Sequence, residues 1–182
     1  MATVVNKTTF EVRESVHTPE TDYENGDWLI DPDIPSIYDE EGNFVEYEPK
    51  RYWKIQGDRL VLKTASQRAS ADAEWLSQVK SDKKDDFKDA LGDALRSKYS
   101  DDEKLSLLLI LQLAVAAGNT ARVNYISQLA AWIDEGQELL YAAQDNIDSA
   151  TSESEVEDME LNLQSWLDAD PQVVIRTAKG IE

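Results

Sequence analysis

The spacing of apolar positions changes once along this chain, near Thr64. Before it, Tyr52-Trp53-Lys54-Ile55 and Leu60-Val61-Leu62 flank Gln56-Gly57-Asp58-Arg59. Two short apolar runs around a glycine that can take positive φ predict a β-hairpin. Ile37-Tyr38 and Phe44-Val45 flank Asp39 to Asn43 in the same way, which predicts a second hairpin with a glycine in its loop. Four of the five prolines fall within the first 50 residues, so the N-terminal third reads as short extended pieces joined by turns.

From Thr64 the period becomes helical. Thr64 with Gln67, Ser100 with Glu103 and Ser152 with Glu155 each have the spacing of a capping box, so helices are expected to start at all three. The first carries Trp75, Leu76, Val79, Phe87, Leu91 and Leu95, with a break permitted near Ser81 by the polar run Lys80 to Asp86. The second runs through Leu105 to Ala117, with Gly118 suited to its C′ position. It is apolar nearly all round, so it must be surrounded by its own chain or by a partner, and is expected to form the core.

A third helix is expected from Asn119 or Thr120 towards Ser149. Val123, Ile126, Ala130, Ile133, Leu140 and Ile147 keep heptad spacing, interrupted by Gln137 and Gln144. A second row, Tyr125, Leu129, Trp132, Gly136, Leu139 and Ala143, widens the face. Such a face suits an intrachain bundle or a coiled coil with flanking contacts. A fourth helix is expected to carry Val156, Met159, Leu163, Trp166 and Leu167 and to stop at Asp170-Pro171. The last eleven residues have the composition of a strand or an extended arm. The fold class is therefore α+β: an extended and hairpin region over 1–63, then a helical region over 64–182.

Charge narrows the partners. Thirty-seven acidic against 18 basic residues give a formal charge of -19, which repels nucleic-acid backbones and anionic lipid. No secretory leader is expected from the opening residues, and the greasiest run falls short of the about 20 apolar residues a membrane span needs. There is no cysteine, so neither a disulfide nor a thiolate site is available.

Candidate chemistry is sparse. The single histidine, His17, has no nucleophile or second ligand beside it in sequence. The acidic turns around Gly26 and Gly42 do not match a calcium loop: Thr21, Tyr23 and Asn25, and Ile37, Asp39 and Glu41, hold the positions that need carboxylates. No nucleophile-elbow, phosphate-loop, dinucleotide or zinc-protease motif occurs. The expectation is a protein that is not an enzyme and uses no metal or cofactor. Trp28, Tyr52 and Trp53 could form a carbohydrate platform, but core packing is the default use of aromatics in a small module. Trp75, Trp132 and Trp166 sit on apolar helix faces, where burial in a core or interface is expected.

Asn6-Lys7-Thr8, His17-Thr18-Pro19, Trp28-Leu29-Ile30-Asp31-Pro32-Asp33 and Tyr52-Trp53-Lys54-Ile55-Gln56-Gly57-Asp58 together resemble the N-terminal region of tailed-bacteriophage virion proteins. The likeness departs after Asp58, where Gln67-Arg68-Ala69-Ser70 replaces the group's acidic continuation. The segment from Tyr125 to Val173 also resembles helical parts of phage tail and fibre proteins. The resemblance implies a tail-fibre or baseplate-associated structural protein, assembled in the host cytoplasm and carried in the virion tail. It would dock through its N-terminal region and contact other tail or baseplate proteins. It also implies a homo-oligomer, with a trimer favoured, as in tail fibres. A nonvirion assembly chaperone and a carbohydrate-binding host-attachment module are the alternatives. The residues expected to carry packing or an interface are Trp28, Tyr52, Trp53, Val123, Ile126, Ala130, Ile133, Leu140 and Ile147.

Overall fold

The structure, a computed structural model, describes residues 1–23 and 26–171, with side chains at all of these except 101, 104, 105 and 108. The protein is α+β. Among the described residues, seven short strands, a one-turn α-helix and a 3-10 turn at Lys50–Tyr52 precede five further α-helices. The chain divides into two compact units, Met1–Trp75 and Leu76–Glu182. The expected arm over 172–182 lies outside the described residues.

In the first unit β1 (Ala2–Asn6) is the central strand of an antiparallel sheet, paired with β2 (Val12–Val16) on one side and β3 (Trp28–Ile30) on the other. The Asn6 side chain turns the chain out of β1 by accepting the backbone amides of Thr8 and Thr9, both at 2.9 Å. Such an Asx turn is why asparagine suits this corner. Beyond β3, Asp31 clamps back onto Thr3 through two 2.7 Å bonds, one to its carboxylate and one from its amide. Between β2 and β3 lies the one-turn helix α1 (Pro19–Asp22).

Both expected hairpins form. In β4 (Ser36–Tyr38) and β5 (Phe44–Tyr47), the Asp39 carboxylate accepts the amides of Glu41 and Asn43 and organises the loop. In β6 (Trp53–Gln56) and β7 (Arg59–Leu62), a two-residue Gly57-Asp58 turn closes the pair, with Gly57 at φ +63. Trp53 is 1% exposed and packs with Val5, Leu29 and Leu60 as the core of this unit.

The Thr64 to Gln67 capping box is present, and α2 (Ala65–Lys98) follows it. Its first turns belong to the β unit: Lys54 reaches Gln67 at 3.1 Å, and Asp72 holds Arg51 and Tyr52. Those bonds carry the unit boundary past Lys63 to Trp75. No break occurs at Ser81. The polar run Lys80 to Asp86 stays helical because Lys80 and Lys84 bind the Asp148 carbonyl and carboxylate, and Lys83 binds the Glu157 carbonyl. Ammonium groups at the C-terminal ends of the helices that Asp148 and Glu157 close also suit the helix dipole.

In the second unit α3 (Asp101–Ala116) opens with the expected Ser100 to Glu103 capping box. It closes in a Schellman motif: Gly118 lies at φ +62, Asn119 donates to the Ala114 carbonyl and Gly118 to that of Val115. Then α4 (Thr120–Ser149) turns back along it. The expected fourth helix is two pieces, α5 (Glu153–Glu157) and α6 (Gln164–Asp168). Between them the Asn162 side chain accepts the amide of Gln164, offering the backbone a non-helical partner.

The core of this unit gathers Phe87 and Leu91 from α2, Tyr99 just after it, Leu129, Trp132, Leu140 and Ile147 from α4, Val156 from α5, and Leu163 and Trp166. Among the described side chains of α3 only Leu107 packs against it, so this helix flanks the core where it was expected to form it. Among the described residues of α3 only Ala114 is buried, while Leu107 and Leu111 are half-buried. No helix among the described residues is long and apolar enough to cross a membrane.

Candidate interaction surface

Ala114 faces the chain's own interior, with Leu107 and Leu111 beside it. The opposite side of α3 holds Asp102, Ser106, Leu109, Leu113 and Ala116, all exposed and spaced four, three, four and three residues apart. That spacing makes one longitudinal stripe. Leu109 is 58% exposed and Leu113 60%; Val115, 62% exposed, points to a different side of the helix. Ile110 adds a partly open side chain next to Leu109. Isolated exposed leucines are ordinary, whereas Leu109 and Leu113 lie one turn apart on one side of α3. No charged residue occurs from Leu105 to Ala121, whereas Asp102 stands at one end of the stripe and Arg122 just past the other.

The same unit has an open groove of about 830 Å³ between α4 and α6. Leu139, Ala142, Trp166 and Ala169 supply apolar walls, and Asp134 and Glu138 line it too. In the first unit the β4–β5 hairpin exposes Tyr38, Phe44 and Val45. The Phe44 ring packs edge-on against Tyr38 and Tyr47, and Tyr47 against Trp53, so a file of aromatics leads outward from the core.

The residues singled out from sequence are distributed as follows. Trp53 is buried and has no face left for a glycan. Trp28 is half-buried, with the Arg13 guanidinium 5.0 Å from its ring and Tyr23 edge-on at 4.8 Å. Tyr52 is half-buried, and its hydroxyl donates to Asp72. On α4, Ile126, Leu140 and Ile147 are buried, Val123 and Ile133 are half-buried, and Ala130 is exposed. Trp132 and Trp166 are buried as expected, but Trp75 is 42% exposed with Arg51 over its ring. His17 is exposed on a bend.

One polar cluster of the first unit was not foreseen. Asp72 accepts from Tyr52 Oη at 2.7 Å and from Arg51 Nε at 2.8 Å. The Tyr52 hydrogen bond, then that of Arg51, holds the Asp72 carboxyl below its ordinary range, and the same pairing raises the Tyr52 phenol. The cluster lacks a nucleophile and ties α2 to the hairpin.

The exposed stripe on α3 could not be told from a core helix in sequence, because a helix without a polar face does not show which side its own chain covers. Its charge-free length was the available signal. No known protein family matches the chain, and neither the curated proteins nor the solved structures contain a match to it.

Proposed function

We propose that the chain is a structural component of a bacteriophage tail, a fibre- or baseplate-associated protein that acts by contact with neighbouring proteins. The outward apolar face of α3 carries this reading, because a helix with Leu109 and Leu113 side by side in water is built to be covered. The resemblance of the N-terminal segments to tailed-phage virion proteins supplies the setting. The turn-forming residues of those segments, Asn6, Asp31 and Gly57, build the corners of the first unit, which is suited to rigid docking. The reading invokes no catalytic group, metal or cofactor, and places the protein in the virion tail after assembly in the host cytoplasm.

Quantitative mass spectrometry of purified particles from the source of the sequence tests it, with a tail protein of known copy number as reference. A fixed number of copies per tail is expected. Abundance in infected lysate with absence from particles overturns the virion role. That result would favour an assembly helper, whose client would cover the same face transiently.

A further inference from the structure

We infer that the exposed stripe of α3 is a homotypic contact, in which two copies of this chain lay their α3 helices side by side in antiparallel orientation about a two-fold axis. The inference rests on the reading of the protein as one that acts by contact, but not on the place of that contact in a tail.

The occupant follows from charge. Outside α3 and the turn after it the chain is acidic, and a second copy carrying -19 would be repelled at most approaches. The stripe from Leu105 to Ala121 is a window without charge, so copies meeting there bring no carboxylates together. Orientation follows from the ends. A parallel pair or a three-fold cluster would gather the first turns of every copy at one point, Asp101, Asp102 and Glu103 with only Lys104 against them, with all helix dipoles aligned. An antiparallel pair instead sets Asp102 of one copy near Arg122 of the other and opposes the dipoles.

The spacing supplies a register. With the axis at Leu111, Leu109 meets Leu113 of the second copy, and Ser106 meets Ala116, whose small side chains let the helices approach closely. Asp102 then falls beside the start of α4, where Arg122 is exposed. A two-fold contact of this kind is self-complementary and closes at two copies. A 16-residue helix is about 24 Å long. One such strip buries less than the about 800 Å² per partner of a standard interface. A contact of this size fills most readily at the high local concentration of an assembly.

Sedimentation equilibrium of the full-length chain, from about 1 to about 500 µM, reads the mass. The expected result is a rise from one chain of 20.5 kDa towards two. Leu113→Glu should weaken the association about tenfold or more while leaving the circular dichroism spectrum unchanged. Arg122→Glu should weaken it and Asp102→Lys in the same chain should restore it. The chain has no cysteine of its own, so orientation can be read by crosslinking. Ser106→Cys copies mixed with Ala116→Cys copies should form a mixed disulfide, and neither variant alone should crosslink. A monomer throughout the range, a mass of three chains, or self-crosslinking of Ser106→Cys overturns the proposal. Binding of α3 by another tail protein without self-association also overturns it. None of these results alters the count in particles, which tests the tail role separately.

Discussion

Trp132 and Trp166 exchange hydrogen bonds across a stacked pair. The Trp132 indole donates to the Trp166 carbonyl at 2.7 Å, and the Trp166 indole donates to the Trp132 carbonyl at 2.6 Å. Their rings lie 4.2 Å apart and 6° from parallel. Each residue thus satisfies the other's buried N–H while supplying a large apolar face. The pair fastens α6 to α4, although α6 is only five residues long and could not persist alone.

Gly136 makes room for that stack. A Cβ there would lie 2.5 Å from Trp166 Cζ2. Gly136→Ala raises helix propensity by about 1 kcal/mol, but overpacking should outweigh it, for a net loss of roughly 1–3 kcal/mol. Urea unfolding checks this, and a variant as stable as the parent would show that α6 yields without cost.

The two buried tryptophans Trp132 and Trp53 should respond differently to loss of the indole N–H. Trp132→Phe removes the shorter of the two bonds to the Trp166 carbonyl, which keeps that from the Ala169 amide, and should cost about 0.5–1.5 kcal/mol for the bond in addition to the lost ring volume. Trp53 Nε1 has no hydrogen-bond partner among the described residues. Trp53→Phe should therefore cost less, its loss being of ring volume. Equal losses in the two variants, measured by denaturant titration, would count against this assignment of the bonds.

Leu113 and Leu129 should separate the contact face from the core. Leu129 is 3% exposed, so Leu129→Ala should cost about 2–5 kcal/mol. Leu113→Gln removes an apolar group already in water and should stay within about 0.5 kcal/mol of the parent. The comparison is made at low protein concentration. A large loss at Leu113 there would mean that the chain covers α3 itself.

Acid should act on the first unit through Asp72. Its folded pKa lies below the ordinary 3.8, so its contribution is complete above that value and fades as pH falls through the lower folded value. The carboxylate is 45% exposed, so the contribution is at most about 1 kcal/mol. Thermal melts should be level down to about pH 5 and fall below about pH 4. Asp72→Asn should lower the melting point at pH 7 and flatten the acid slope. The remaining slope belongs to Asp39 of the same unit, held low by Asn43, and to Glu155 of the second unit, held low by Thr151. An unchanged slope in Asp72→Asn would remove the pairing from the account.

Local chemistry was the legible part of this sequence. Capping boxes, the Gly57 and Gly42 turns and the Gly118 terminus are decided by residues three or four apart, and each formed where expected. The central position of β1 was not legible, because Ala2, Val4 and Val5 are recruited by partners at Val12 to Val16 and Trp28 to Ile30. The division of the fourth helix was not legible either: α5 stops at Glu157, and the Asn162 side chain takes the Gln164 amide where α6 begins. The misplaced core has a simple cause: hydrophobicity told that α3 must be covered, but not that Phe87, Trp132 and Trp166 of other segments would supply the centre and leave α3 at its flank. For the candidate surface, then, the residue types were visible but the side they face was not.

The outward turn of α3 also has an evolutionary consequence. Substitutions at Trp132, Gly136 and Trp166 are judged by the chain's own folding, whatever it touches. Those at Leu109, Leu113 and Ala116 escape that test and are judged only by what lies against them. As relatives of the chain are compared, the first set should drift in concert with one another, whereas the second should change together with its mate across the contact.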